Sequence, residues 1–359
     1  KTRGGRGGRG AGSTASTAGR LTGLAGLEGP TLTEENCAKV TKNGSVHLDM
    51  MPRSDLNHLV AAGDKSGRIG FWSVSHDSST QKNTQVQPHT QYISGLKFCP
   101  ATGKDLFTCS YDGFCRKLDP SEGSFLEIFD SKAEHEFSAM DVGSCGASAN
   151  AIFLCDNEGD FLMVDARAKK AAFAPVTLSH RKINTVHVEP SEGNLFCTSS
   201  TSAEVAVWDV RKFPSTGSNF SKAKATVATY THTKSCQGAY FAPDGSHRVL
   251  TTCYDNHLNV WDAKKADRNL PSVRISHNTQ TGRWVLPFRA IWLPGSDGVV
   301  CGTMKRGLNI YEAASGKRAV TCDSEFLTAI PSRFCVHPTL PIIGAATSSG
   351  RIHLFCGQS

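Results

Sequence analysis

The chain has 359 residues, 39% of them apolar and 20% charged, with a formal net charge of +7 and a pI near 8.8. That is enough apolar material for one large core, and it excludes collagen-like, acidic-disordered and helical-membrane classes, since no apolar run approaches the roughly 20 residues that span a bilayer. The mild positive balance permits a nucleic-acid partner without requiring one, and 13 cysteines with no metal-type pairing read as reduced thiols of a cytosolic or nuclear protein.

Residues 1–35 open with KTRGGRGGRGAGSTASTAGR, rich in Gly, Ser, Thr, Ala and Arg and without apolar periodicity. Such a segment cannot bury enough surface to offset its ordering entropy, so it is expected to be a disordered tail. Its RGG-like steps put Arg on a flexible backbone, which suits phosphate contact; the plainer reading is a solubilising linker.

From residue 36 to 357 one pattern recurs: an apolar run, a polar turn, then alternating residues that end in an aromatic or apolar residue, often followed by Asp. The copies are LVAAGDKSGRIGFWS, LFTCSYDGFCRKLD, IFLCDNEGDFLMVD, LFCTSSTSAEVAVWD, VLTTCYDNHLNVWD, VVCGTMKRGLNIYE and IIGAATSSGRIHLF. They are anchored on Trp72, Leu118, Val164, Trp208, Trp261, Tyr311 and Phe355, at intervals of 44 to 53 residues. Each copy reads as two strands around a tight turn. A further strand, usually closed by proline, precedes most of them, as in YISGLKFCP, INTVHVEP, CQGAYFAP, FRAIWLP and RFCVHP. A histidine often comes before that strand: His89, His180, His232 or His277.

This is the spacing of WD repeats, one four-stranded blade per copy, so the expected fold is an all-β, seven-bladed propeller. The last hairpin ends at Phe355, so its blade lacks a fourth strand downstream. Ala38–Asn43 has no other partner and is expected to supply it, closing the ring and removing open edges. Asp112, Asp156 and Asp255 fall in the turns between the second and third strands, where bonding to the histidine or backbone of a neighbouring turn explains them.

Two loops carry residues that the repeat does not explain, and they belong to opposite faces. HNTQTGRWVLPF, between the fifth and sixth blades, is longer than its counterparts. It holds Gly282, Arg283 and Trp284, with Arg274 and Arg289 close in sequence. An exposed Arg–Trp pair could contact phosphate and stack against or wedge between bases; alternatively, Trp284 begins the inner strand and packs between blades. The second is AVWDVRK of the fourth blade, where Trp208, Asp209 and Arg211 form a Trp-Asp-x-Arg ending. Asp165-Ala166-Arg167 is a weaker copy. No phosphate-cradling Gly loop, metal-ligand spacing or nucleophile elbow is found. No enzyme activity, cofactor, metal, membrane or small-molecule substrate is therefore expected.

HNTQTGRWVLPFRAIWLP, DKSGRIGFW, HTKSCQGAYFAPDG and the SSGRIHLF ending resemble the family of WD repeat-containing protein 76 and its yeast damaged-DNA-binding counterpart, over about residues 45 to 356. That family is similar in turn to the small subunit of the UV-damaged DNA-binding complex. In that relative, the matching loop carries a hairpin that inserts at the lesion. The resemblance implies that Gly282, Arg283 and Trp284 occupy that hairpin and that Arg211 lies in a box that docks onto the adaptor of cullin-4 ubiquitin ligases, the large damage-binding subunit. The tip chemistry differs from the relative's, which puts base flipping in doubt. The helical arm that aids adaptor binding there is missing from the Gly-rich tail here. The expected function is that of a nuclear, chromatin-associated propeller that binds damaged or modified DNA and serves as a ligase substrate receptor. The alternative is an interaction scaffold for histone tails or other proteins, with incidental DNA contact.

Overall fold

A computed structural model describes residues 29–53, 57–75, 80–214, 220–264 and 270–357. Most of the expected tail, residues 1–28, lies outside the described residues. The rest is a ring of seven antiparallel sheets. Strands are lettered a to d outward from the ring axis. Blade 1 is Ser45–Met50, His58–Asp64, Ile69–Val74 and Gln81–Val86. Blade 2 runs from Ile93–Phe98 to Ser124–Asp130, and blade 3 from Phe137–Val142 to an outer edge split into Lys170–Ala171 and Val176–Thr177. Blade 4 is Ile183–Val188, Leu195–Ser200, Glu204–Asp209 and Thr226–Thr231. Blade 5 is Cys236–Phe241, Arg248–Cys253, His257–Asp262 and Val273–Ser276. Blade 6 is Ile291–Trp292, Gly298–Thr303, Gly307–Glu312 and Arg318–Asp323. Blade 7 takes Pro331–Val336, Ile342–Thr347 and Arg351–Cys356 from the end of the chain.

Its fourth strand is Cys37–Lys39, paired Cys37↔His353, Ala38↔Ile352 and Lys39↔Arg351. The expected closing strand is thus present, shorter than Ala38–Asn43 and starting one residue earlier. Blade 1 clamps it from the side. Gln81, Asn83 and Gln85, alternate residues of the blade 1 d strand, donate their amides to the carbonyls of Glu35, Lys39 and Val40. Ordered packing also begins before residue 36, the boundary expected from composition. Thr31 exchanges backbone hydrogen bonds with Cys356 at 2.9 and 3.0 Å, and Leu32 is buried in the core between blades 6 and 7.

The repeat residues hold each blade internally. Trp208 and Trp261 are buried and donate Nε1–H to Thr198 and Thr251, both at 2.9 Å. His89 lies between Asp112, at 3.0 Å from Nδ1, and Thr108, at 3.0 Å from Nε2. Asp112 also accepts the backbone N–H groups of Thr90 and Phe114. Burial by itself would raise the Asp112 carboxyl, but the His89 bond and these N–H donors outweigh it and hold its pKa at about 2. In blade 4 the matching buried position is Ser179, bonded to Ser200 at 3.1 Å; His180, expected there, is one residue further on and exposed. Between blades the core is apolar: Phe153, Phe161, Phe196 and Phe213 interlock, with the Phe161–Phe196 rings 4.8 Å apart. Among the seven inner strands, polar side chains bridge neighbours. Asp49 accepts Phe98 N–H and Asp141 accepts Val188 N–H, each at 2.7 Å.

Candidate nucleic-acid interface

Antiparallel order puts the d–a and b–c loops on one face of the ring and the a–b and c–d loops on the other. On the first face the connection from blade 5 to blade 6 stands out. His277 and the strand-a proline Pro294 are seventeen residues apart, against eleven in blades 2 and 5. Both limbs of the extra loop are pinned. On the rising limb, His277 bonds Tyr311 Oη at 2.7 Å, and Thr279 exchanges bonds with Asn256 in the b–c turn of blade 5. On the falling limb, Leu286 packs against the cluster between blades 1 and 2, beyond the intervening blade 7. Pro287 O accepts Nη1–H of Arg333 from blade 7.

Between the pinned limbs lies the tip, Gly282-Arg283-Trp284. Gly282 has φ +65° with open space around it, the left-handed conformation that lets the chain reverse without strain. Trp284 is 83% exposed, the highest value among the large hydrophobic side chains described. It therefore does not begin the inner strand. Pairing there starts only at Ile291, and Phe288 is the aromatic that enters the core. The Arg283 guanidinium sits 5.4 Å from the Trp284 ring centroid, so the tip presents a cation and a planar face together.

The other arginines singled out in this region are not gathered at the tip. Arg274 is exposed on the outer strand of blade 5, 3.2 Å from His257 Nδ1. Arg289 faces the central channel and donates to Asn184 O at 2.8 Å. Residues that the repeat pattern hid join the tip's face instead. The b–c turn of blade 6 exposes Met304, Lys305 and Arg306. Lys182, at the start of blade 4, has its ammonium 5.0 Å from the Tyr111 ring centroid, and Tyr111 stacks on Tyr92 at 5.0 Å. Burial pushes the Lys182 ammonium down from its usual value. Exposed carboxylates share this face: Glu134, Glu136 and Glu158 in loops of blade 3, and Glu325 in the loop from blade 6 to blade 7.

On the opposite face, Arg211 lies in a one-turn helix, Val210–Lys212, just after strand c of blade 4. Its Nε and Nη2 donate to the two carboxylate oxygens of Asp209, each at 2.9 Å, and its side chain is 58% exposed. Asp209 also accepts the Arg211 backbone N–H at 3.0 Å, so one carboxylate fixes both the turn and the guanidinium. Trp208 is 1% exposed, so its part in such a box is to anchor the strand, not to touch a partner. Arg167 follows the same strand of blade 3 with its side chain 76% exposed and only a loose, 4.0 Å approach to Asp165.

Two groups of potential metal ligands, His232–Cys253–Asp255 and His135–Asp156–Asp160, have donor atoms within 4.8 Å of one another. Both are built on repeat positions, and most of their groups are already bonded, His232 Nε2 excepted. Asp156 accepts three backbone N–H groups and His135, and Cys253 donates to Lys234 O.

Seven antiparallel sheets around a channel, six of them four-stranded and the third with a split outer edge, with buried Trp–Thr and His–Asp pairs at the repeat positions, define a WD-repeat β-propeller, and residues 224–262 match the WD domain, G-beta repeat family. The resemblance read from the loop sequences holds over most of the chain. It is 33% identical over 333 residues to WD repeat-containing protein 76 of Rhinolophus ferrumequinum (91% of this chain, 51% of that protein) and 32% identical over 331 residues to the Xenopus laevis protein of the same name (90% and 55%). It is 29% identical over 353 residues to DNA damage-binding protein CMR1 of Phaeosphaeria nodorum (90% and 66%). The chain spans about half the length of the first two.

Proposed function

We propose that the chain is a non-enzymatic nuclear propeller of the DNA damage response, which binds damaged or modified duplex through the face that carries Arg283 and Trp284. The observation that carries this reading is the tip: a tryptophan 83% exposed under an arginine, on a loop pinned at both limbs. A rigid planar group on a basic rim can stack on an unstacked base or wedge into a distorted step, while Arg283, Lys305 and Arg306 meet phosphate. The relatives' name, DNA damage-binding protein, supports the same reading. Arg289 acts from the channel wall and Arg274 from the flank of blade 5, so both contribute to the field around the tip more than to contact. An RGG-like tail would add non-specific phosphate contacts.

The second part of the proposal concerns the other face. Arg211, held flat by Asp209, offers a fixed guanidinium edge that an acidic surface can pair with, and Arg167 adds a second positive charge. This suits docking onto the adaptor of a cullin-4 ligase, so that one face holds DNA or chromatin while the other engages the ligase.

Fluorescence anisotropy of the full chain on a short duplex, intact and UV-irradiated, across a salt series tests the first part. A tighter complex with the irradiated duplex, weakening steeply with salt, is expected. Equal and weak binding to both would remove the lesion reading and leave an interaction scaffold, for histone tails or other proteins, as the better account. Pull-down of the large damage-binding subunit by wild type and by Arg211→Glu tests the second part.

A further inference from the structure

Two arginines converge at the d–a end of the central channel. Arg289 of blade 6 runs its stem across Gly238 of blade 5, where an added Cβ would stand 3.4 Å from Arg289 Cγ, and reaches Asn184 O in blade 4. Arg333 of blade 7 is 6% exposed; it donates to Val46 O of blade 1 at 3.0 Å, to Ser332 O at 3.0 Å and to Pro287 O under the Trp284 loop. All these acceptors are backbone carbonyls. Among the described residues no carboxylate pairs with either guanidinium, and Arg289 Nε is buried without a partner.

Carbonyl dipoles satisfy N–H groups but do not neutralise charge. Arg333 is buried and Arg289 half-buried at the same end of the channel, and two guanidinium ions so placed without a counter-ion are costly, since arginine does not readily escape by losing a proton. The strain registers on the neighbours. Burial, and then Arg289, push Arg333 down to about 9; burial together with Arg289, Arg333 and Lys182 keeps His47 neutral. The carboxylates deeper in the channel are committed elsewhere: Asp49 and Asp141 accept the strand N–H groups of Phe98 and Val188, with the Lys97 ammonium attracted to both. The arginines border a cavity of ≈ 370 Å³ that runs to the strand-a prolines Pro190, Pro243 and Pro338 at the far end. That volume falls in the range of small-ligand sites.

We propose that this end of the channel is an anion site for a phosphate group, taken by the Arg289 and Arg333 guanidiniums. A tetrahedral dianion matches two planar forks better than a single carboxylate does. The site lies in the channel wall, distinct from the exposed tip, and does not rest on the duplex reading. The phosphate can arrive free, as inorganic phosphate or a small phosphomonoester, or on a nucleic-acid backbone.

The experiment is isothermal titration of inorganic phosphate into the full chain, against chloride at matched ionic strength, with Arg289→Met and Arg289→Lys run alongside. One saturable site in wild type is expected, weakened about tenfold or more by Arg289→Met and less by Arg289→Lys, because a charge-assisted hydrogen bond is lost in one and partly kept in the other. A phosphate response no different from chloride, or one that Arg289→Met leaves intact, overturns the site. Should Arg289→Met fail to fold, ³¹P NMR of phosphate with wild type alone decides: an unshifted, unbroadened line overturns it. A duplex anisotropy titration with and without phosphate separates the sources. Competition identifies a backbone phosphate as occupant, and additive binding a free one.

Discussion

Replacing Trp284 with alanine should separate folding from binding. The side chain is 83% exposed, and its one described ring contact is with Arg283 at 5.4 Å. An exposed cation–π pair is worth about 0.5–1 kcal/mol and holds Arg283 to the ring without supporting the core. Thermal unfolding should therefore stay within about 0.5 kcal/mol of wild type, as for surface changes generally. Binding to an irradiated duplex should suffer much more. Stacking of one base on an aromatic ring contributes about 1–3 kcal/mol, or roughly 5- to 140-fold in Kd at 1.4 kcal/mol per tenfold. Because a ring releases no counter-ions, the slope of log K against log salt should be unchanged by Trp284→Ala, while Arg283→Ala should flatten it by about 0.9. Anisotropy at four salt concentrations for the three proteins reads both quantities. Affinity within twofold of wild type would refute the stacking role, and so would a slope that Trp284→Ala changes as much as Arg283→Ala does.

Other expectations follow from the packing. Gly70→Ala places a Cβ 2.1 Å from Val40 O, so it should push the closing segment outward and cost about 1–3 kcal/mol; hydrogen exchange should speed up at residues 37–41 if the clamp is as described. Trp261→Phe loses the 2.9 Å bond to Thr251 and should lower stability by about 1 kcal/mol in urea unfolding, with little change in m-value. Asp112 has a folded pKa of about 2, below that of the unfolded carboxyl; its contribution is present above the unfolded value and is lost as the pH falls toward 2. Asp112→Asn should therefore be less stable than wild type at neutral pH, and the gap should narrow in acid. Arg211→Ala should leave stability nearly unchanged, since the guanidinium is 58% exposed and Asp209 keeps the backbone N–H of position 211, while abolishing capture of the ligase adaptor in a pull-down.

Much of the ring was legible because each blade writes its own local pattern. Alternation marks strands b and c, prolines end strand a, and buried Trp, His and Asp recur at fixed intervals. The leftover apolar segment near residue 38 had one place to go, blade 7. What escaped the sequence depends on contacts between distant blades. Arg333 reaches Val46 O across 287 positions and Arg289 reaches Asn184 O across 105, so no spacing rule joins them. Spacing left Trp284 divided between strand and tip; only the pairing, delayed to Ile291, and the entry of Phe288 into the core decide it. His180 shows the limit of pattern matching by residue type, for the buried role falls to Ser179, one position earlier. Thr31 and Leu32 read as part of the polar tail because the short ordered segment 29–35 cannot outweigh the Gly-rich composition before it.

Closure by Cys37–Lys39 also sets a timetable for making the protein. The Thr31–Cys356 bridge that seals the ring joins positions 325 apart. A ribosome that adds about 5–20 residues each second needs roughly 15–65 s to cover that distance. Throughout that interval Cys37–Lys39 has no strand of blade 7 to pair with, and the growing row of blades carries an open edge at each end. A nascent chain in this state can pair with any other exposed strand, so translation speed and chaperone cover during that window govern yield as much as the strength of the finished closure does.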